Sequence, residues 1–150
     1  MSRYRQAWNE VFGFDLRSLA LFRILLGTLV VIDLLNRSHD LVAHYCDEGV
    51  LPREALLQTS HRTWHVSLHM LSGEPLVQGL LFIFAGVVAV LMTVGYRTWL
   101  TTFLSWVMMV SLHARNPVIL NGGDVEFRLL LFWSLFLPLG ARWSIDRLLD

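Results

Sequence analysis

The segment from Leu76 to Val94 restricts the fold of this chain more than any other part of the sequence. Its nineteen consecutive residues carry no charged side chain. A helix rises about 1.5 Å per residue, so about 20 apolar residues span the roughly 30 Å hydrocarbon core of a membrane. Composition agrees, because 55% of the residues are hydrophobic and only 16% are charged, whereas soluble domains are about 25% charged. The sequence therefore predicts an integral membrane protein.

Three further apolar segments predict additional membrane-crossing helices, at residues 18–35, 99–112 and 125–139. Turn-forming residues separate the segments at Gly95–Thr98, Pro117 and Gly122–Gly123, and irregular backbone belongs outside the hydrocarbon. We therefore predict an all-α integral membrane bundle of about four transmembrane helices with short interfacial helices. Residues 1–150 are expected to form one domain.

The arginines give the evidence for orientation. All twelve basic residues are arginine and the formal net charge is zero, which argues against a nucleic-acid partner, because such proteins present a basic face. Arginines near the ends of the spans favour the cytoplasmic side, so we expect both termini to be cytoplasmic. The predicted cytoplasmic side carries Arg3, Arg5, Arg17, Arg97, Arg142 and Arg147. The predicted extracytoplasmic side carries Arg37, Arg53, Arg62, Arg115 and Arg128.

Several charged residues fall within or beside the predicted spans, and three of them, Arg23, Asp33 and Arg128, are considered first. A charge at the centre of a bilayer costs at least about 2.5 to 3.5 kcal/mol. Arg23 lies near the start of its span, so its long side chain is expected to reach the nearer interface. Asp33 and Arg128 are expected to pair across the first and fourth spans, and the alternative is a pair between Arg128 and Asp124 on one helix.

The same region allows a functional alternative at the extracytoplasmic ends of the spans. Arg115 and Arg128 would supply positive charge, and the backbone of Gly122–Gly123 would offer N–H groups to an anion or a lipid head group. Asp124 is expected to cap the fourth span in either case.

A histidine-bearing connection links the first two spans. His61, His65 and His69 are spaced four apart and would share one face of a helix, which is a spacing that can bind zinc. No acidic residue accompanies them as in a His-Glu-x-x-His helix, and the neighbouring apolar residues suit an interfacial helix equally well. We therefore predict no metal site and retain these histidines only as weak candidates.

Several motifs resemble the bacterial HTTM (horizontally transferred transmembrane) domain, which is related to the membrane part of vitamin K-dependent gamma-carboxylase. The motifs occur in one order along essentially the whole chain: RSLALFR at 17–23, HYCDEGVLPR at 44–53, GYRT at 95–98, RNP at 115–117, NGGD at 121–124, FLPLG at 136–140 and WSID at 143–146.

The resemblance implies a multi-pass helical bundle in the bacterial cytoplasmic membrane, with an extracytoplasmic pocket for a lipophilic, quinone-like molecule. The carboxylase's catalytic lysine lies on a later span of that family, and the 150 residues contain no lysine. The carboxylase also has a histidine beside an Asn pair where this chain has Asn121, Gly122, Gly123 and Asp124. Because family members are longer, this chain is expected to be the amino-terminal part of a longer domain.

Two function hypotheses follow. The favoured one is a non-carboxylating module that binds a lipid or quinone, or packs against partner helices or a second copy of itself in the lipid bilayer. The alternative is a membrane enzyme with carboxylase-like or other quinone-linked chemistry, completed by residues of another segment or chain. No catalytic residue or specific cofactor is assigned, and the candidate ligand-binding residues are Arg115, Asn116, Asn121, Asp124 and Arg128.

Overall fold

The computed structural model of the chain describes residues 15–59 and 67–149. Within these two ranges every regular element is helical and no strand occurs, which confirms the all-α prediction. The α-helices are α1 (Leu16–Ser38), α2 (Leu41–Tyr45), α3 (Arg53–Thr59), α4 (Pro75–Val94), α5 (Thr98–Arg115), α6 (Gly122–Ser134) and α7 (Ile145–Leu149), with 3₁₀ turns at Leu68–Met70 and Pro117–Ile119.

The four longer helices form an antiparallel bundle in which α1 packs on α4, α4 on α5, and α5 on α6. We call the end where α1 and α5 finish the Asp124 end, and the opposite end the Arg23 end. The buried core joins all four helices, with Leu26, Ala89, Met109 and Leu131 among its members. The short helices α2 and α3 lie between α1 and α4 in the chain, and α7 follows α6.

Two of these helices, α1 and α4, are long and apolar enough to cross a membrane. Both carry large apolar side chains outward at helical spacing, and only about a third of each apolar stretch is buried within the protein. The exposed stripes are Leu21, Leu25, Leu29, Ile32 and Leu35 on α1, and Leu76, Leu80, Ile83, Val87, Val90 and Val94 on α4. This outward apolar surface is the reverse of the pattern in a water-soluble bundle.

The prediction of four crossings is not confirmed, because α5 and α6 differ from the predicted spans. Helix α5 includes the polar residues that flank the predicted run 99–112, and it buries Thr101, Thr102 and Ser105 against its neighbours. Helix α6 ends at Ser134 after 13 residues, which gives a length of about 20 Å. Neither helix meets the length and hydropathy expected of a membrane span among the described residues.

The packing of α1 on α4 depends on a glycine. A Cβ atom on Gly27 would lie only 3.2 Å from Cα of Thr93, so any side chain there would push the two backbones apart. At the Arg23 end, α4 stops at Gly95, whose φ of 75° is left-handed and suits glycine. A Cβ on Gly95 would lie 2.5 Å from Nη1 of Arg23.

Candidate functional site

A group of buried and partly buried polar side chains lies at the Asp124 end and centres on Arg37. Its guanidinium donates from Nε to Asp33 Oδ2 (2.8 Å), from Nη2 to Asp124 Oδ1 (2.5 Å) and from Nη1 to the Tyr45 hydroxyl (3.2 Å). The Asp33 contact follows from a spacing of four residues on α1. We call Asp33, Arg37, Tyr45, His113 and Asp124 the Arg37 cluster, which ties α1, α2, α5 and α6 together.

Asp124 is held in the cluster by the start of α6. The side chain of Asn121 accepts from the Asp124 N–H (3.3 Å), while Asp124 Oδ2 accepts from the Asn121 N–H (2.8 Å). This reciprocal pair is a capping box. The sequence predicted Asp124 as the cap; the structure gives the N-cap position to Asn121 and makes Asp124 its partner.

His113 is the unsatisfied member of the cluster. Its side chain is 1% exposed, and neither ring nitrogen has a hydrogen-bond partner among the described residues. Nε2 lies 3.7 Å from Asp124 Oδ1, a distance too long for a hydrogen bond. Buried polar atoms usually have partners, so this imidazole marks a place where an additional donor or acceptor would be stabilised.

A groove of about 320 Å³ opens beside the cluster, between α1 and α6. We call it the α1–α6 groove. Its lining combines polar side chains at the Asp124 end with apolar side chains deeper along the helices: Leu29, Ile32, Asp33, Asn36, Asn121, Gly123, Asp124 and Phe127. This arrangement suits a molecule with a polar head and an apolar body.

The charge of this region disfavours the anion site that the sequence allowed. The Arg37 cluster contains two carboxylates and one arginine, so it carries one excess negative charge when His113 is neutral. Carboxylate oxygens accept hydrogen bonds and repel phosphate. The arrangement therefore favours a neutral head group that donates hydrogen bonds.

The structure brings only two of the five predicted ligand-binding residues, Asn121 and Asp124, to the groove. Arg115 is fully buried elsewhere and donates to the Leu51 carbonyl (2.8 Å), with Asp47 Oδ1 at 3.4 Å. Its neighbour Asn116 donates to the carbonyl of His44 (2.9 Å). Both side chains therefore fix the connection after α2 to the end of α5 instead of facing a ligand.

The predicted pairing of Arg128 does not form. Among the described residues, Asp33 and Asp124 both pair with Arg37, and Arg128 pairs with neither. Arg128 is only partly buried, so its charge needs no internal partner. The physical reason is that Arg37 lies four residues after Asp33 on one helix and also faces the start of α6.

Arg23 also differs from its prediction. Instead of reaching an interface, its side chain is fully buried and donates to the carbonyls of Leu139 (2.9 Å) and Trp143 (2.6 Å). These carbonyls belong to the irregular chain after α6, which leaves backbone acceptors without helical partners. Arg23 therefore ties α1 to that chain segment.

The connection between α2 and α4 is organised by Asp47. Its carboxylate accepts from Nε and Nη2 of Arg53, with a shortest distance of 2.7 Å, and also from the Arg53 N–H. The hydrogen bonds from Arg53 hold the pKa of Asp47 below its usual value, and the charge of Arg115 acts in the same direction. This carboxylate stays ionised and serves as a structural anchor.

The histidines considered for zinc do not form a site in the part of the chain that the structure describes. His61 and His65 lie outside the described residues, and no group of three or more metal-binding side chains occurs within them. His69 is 1% exposed, and its Nδ1 lies 2.8 Å from Ser111 Oγ. Burial lowers the pKa of His69 to about 4, and the positive charge of Arg115 adds to this effect.

No sequence pattern predicts a role for Tyr45 or His113, which join the site only through folding. The spacing of Asp33 and Arg37 is a signal that could have identified the first ion pair. No protein-family model, curated protein or solved structure matches this chain. The likeness to the HTTM domain therefore stays a prediction that rests on the sequence motifs.

Proposed function

We propose that the chain is a multi-pass membrane bundle that binds a neutral lipophilic molecule, a quinol or a hydroxyl-bearing lipid, in the α1–α6 groove. The apolar stripes on α1 and α4 support a membrane location, because exposed apolar surface of this extent is unfavourable in water. The buried polar residues support it as well. Arg23, Arg37 and Arg115 lie inside the bundle, where each binds carbonyls or carboxylates.

The observation that carries the binding role is the α1–α6 groove itself, which brings the head of a ligand to Asp33, Asp124 and Asn36. The buried imidazole of His113 lies 3.7 Å from Asp124 Oδ1 and does not line the groove. Hydroxyl groups on the head would donate to Asp33 and Asp124, and the apolar body would lie against Leu29 and Phe127.

Membership of the HTTM family, a bacterial cytoplasmic-membrane location and cytoplasmic termini are part of this proposal. Among the described residues, five arginines and two acidic residues lie at the Arg23 end, against four arginines and eight acidic residues at the Asp124 end. Excess arginine supports a cytoplasmic position for the Arg23 end. The groove would then open toward the extracytoplasmic side.

The carboxylase-like alternative requires a base that these residues do not supply. A lysine serves that role in the related carboxylase, and none of the 150 residues is lysine. The described carboxylates at the groove are engaged in ion pairs or a helix cap. We therefore propose binding alone and no carboxylation step for this chain.

Native mass spectrometry of the full chain purified in mild detergent tests the binding role. We expect a co-purifying neutral lipophilic species that survives transfer to the gas phase. Asn36→Trp fills the groove mouth without removing an ion pair and should abolish this species. Leu25→Trp, on the outward face of α1, is the matched control and should retain it. An identical ligand content in both variants would show that the groove is not the binding site.

A further inference from the structure

A second surface, at the Arg23 end, is built from the segment Gly140–Leu149. A groove of about 400 Å³ runs between this segment and the end of α4. Arg142, Trp143, Arg147 and Leu148 line it and are exposed, with Trp143 at 59% and Leu148 at 84%. We call this surface the Arg142–Arg147 groove. It shares no residue with the α1–α6 groove.

Hydrogen bonds hold this segment in place. Arg23 binds the Trp143 carbonyl, and Ser144 Oγ donates to the Gly140 carbonyl (2.5 Å) and accepts from the Arg147 N–H (3.1 Å). The Asp146 N–H donates to the Gly95 carbonyl (3.0 Å). The exposed arginines therefore project from a fixed backbone, which reduces the entropy lost when they bind a ligand.

The described acidic residues at this end, Asp15 and Asp146, already accept hydrogen bonds from groups of the protein. Asp146 accepts from the N–H groups of Arg97 (2.6 Å) and Thr98 (2.7 Å) at the start of α5. Asp15 accepts from the Arg17 N–H and from Ser18 Oγ at the start of α1. No described ion pair involves Arg142 or Arg147, so these two guanidiniums keep their full attraction for an external anion.

Trp143 is held in a conformation that a non-glycine residue rarely adopts. Its φ is 48°, and such backbone strain persists only when surrounding contacts impose it. The indole is exposed and lines the groove together with Arg142 and the apolar side chains. Tryptophan favours the head-group level of a membrane, where its ring meets both polar and apolar groups.

The apolar part of the groove continues a surface that is already assigned to lipid. Val94 is the last member of the outward apolar stripe on α4, and it lines the groove together with Ile145 and Leu148. An acyl chain lying along α4 would therefore reach the groove at its head-group end. The two arginines stand where a phosphate would follow.

We propose that the Arg142–Arg147 groove binds an anionic phospholipid of the adjacent leaflet, with the two arginines on the lipid phosphate and Trp143 and Leu148 against its glycerol and acyl region. This proposal rests on the proposed membrane location. It differs from the role of the α1–α6 groove in ligand charge, in the end of the bundle used, and in the residues involved.

The test places the full chain in nanodiscs that contain equal amounts of phosphatidylglycerol and phosphatidylcholine, followed by native mass spectrometry of retained lipid. Each arginine near the surface contributes enough attraction for a severalfold preference, so wild type should retain phosphatidylglycerol about tenfold over phosphatidylcholine. The double variant Arg142→Gln/Arg147→Gln should lose that preference.

A second double variant, Arg17→Gln/Arg97→Gln, removes the same charge from the same end but outside the groove, and it should keep the preference. Equal losses in the two double variants would show general charge attraction and overturn the site. Displacement of phosphatidylglycerol by millimolar inorganic phosphate would also overturn it, because the ligand would then be a free anion. Equal retention of phosphatidylglycerol and phosphatidylcholine by wild type would also overturn the proposal.

Two further measurements keep the outcome interpretable. If the groove double variant does not fold, the single variants Arg142→Gln and Arg147→Gln are used, and each should show an intermediate preference. The neutral species expected in the α1–α6 groove is measured in the same spectra and should be unchanged by these substitutions. If wild type carries no such neutral species, the proposed function is contradicted. The lipid preference of the Arg142–Arg147 groove then stands as a separate result.

Discussion

Individual side chains explain how this bundle tolerates charge in its interior. Arg23, Arg37 and Arg115 each donate to carbonyl or carboxylate oxygens supplied by other segments, and only Nε of Arg23 and Nε of Arg115 are left without a partner among the described residues. Planar guanidinium groups can reach two acceptors at once, which suits places where the chain leaves a helix and exposes carbonyls. Arg23 and Arg115 therefore each connect a helix to an irregular segment, whereas Arg37 connects α1 to α2 and α6.

Replacing Arg23 should show the size of this effect. Arg23→Gln leaves the carbonyls of Leu139 and Trp143 without their charged donor, and bonds of this kind contribute about 1.5 to 3 kcal/mol each. We expect the free energy of unfolding in detergent to fall by about 2 to 4 kcal/mol. The control Arg17→Gln removes an exposed charge from the same helix and should change stability by less than about 0.5 kcal/mol. Equal effects would contradict the role of the buried hydrogen bonds.

A second residue-scale prediction separates Asp124 from Arg128. Asp124→Asn removes the ion pair with Arg37 and weakens the capping box. The unfolding temperature in detergent should therefore fall, and the free energy of unfolding should decrease by about 2 to 4 kcal/mol. Arg128→Gln removes a partly buried charge without a described partner and should have little effect. Similar destabilisation by both substitutions would mean that Arg128 also takes part in the Arg37 cluster.

At the scale of helices, the position of an element in the bundle decides how apolar it must be. Helix α5 packs between α4 and α6, and it buries threonine hydroxyls that bond carbonyls of its own turn, as Thr102 does with Thr98 (2.7 Å). Helices α1 and α4 instead present apolar stripes outward. Hydropathy therefore identifies α1 and α4 as candidate membrane spans and does not identify α5 as one.

The contact between α1 and α4 gives an element-scale prediction. In Gly27→Ala the new methyl group meets Thr93 at a distance that forces the helices apart, so we expect a loss of about 1 to 3 kcal/mol. Gly86→Ala is the matched control on α4, because a Cβ atom there has no neighbour within 4 Å. It should leave stability unchanged or raise it by up to about 1 kcal/mol. Thermal unfolding in detergent measures both, and a neutral Gly27→Ala would refute the close approach.

The Arg23 end carries five of the described arginines against four at the Asp124 end, and this small excess predicts the orientation of the whole molecule. In a background with Cys46 replaced by alanine, cysteines at Val50 and Leu148 would report the Asp124 end and the Arg23 end; both sites are at least 80% exposed. A membrane-impermeant maleimide on intact cells should label Val50→Cys and spare Leu148→Cys until the cells are permeabilised. The reverse pattern would invert the proposed topology.

Stability of the whole fold should depend on pH through His69. Burial keeps this imidazole neutral and lowers its pKa from 6.5 to about 4. Between these values the unfolded chain binds a proton that the folded chain does not. Stability is therefore full above pH 6.5 and falls as the pH drops toward 4, by up to about 1.4 kcal/mol per pH unit. His69→Gln should make this slope shallower in detergent unfolding experiments, and an unchanged slope would rule out the effect.

Local sequence was sufficient to predict the all-α class, helices α1 and α4 and the turn at Gly95, and it placed Asp124 in the first turn of α6, although the N-cap itself is Asn121. These features depend on neighbouring residues, on apolar periodicity and on the conformational freedom of glycine. The predicted turn at Gly95 and the break at Pro117 lie between the long helices, whereas the predicted break at Gly122–Gly123 is wrong, because these two glycines begin α6.

Tertiary structure decided which charges meet between different helices. Arg37 pairs with both carboxylates that the sequence had offered as partners of Arg128. Arg23 donates to carbonyls that lie 116 and 120 residues away along the chain. Tyr45, His113 and Asp124 come together from three different helices. Such contacts depend on how the helices rotate and on where irregular segments leave unpaired carbonyls, and periodicity along one helix does not encode either. The nonpolar surface was thus readable from the sequence, whereas the polar interior was a result of packing.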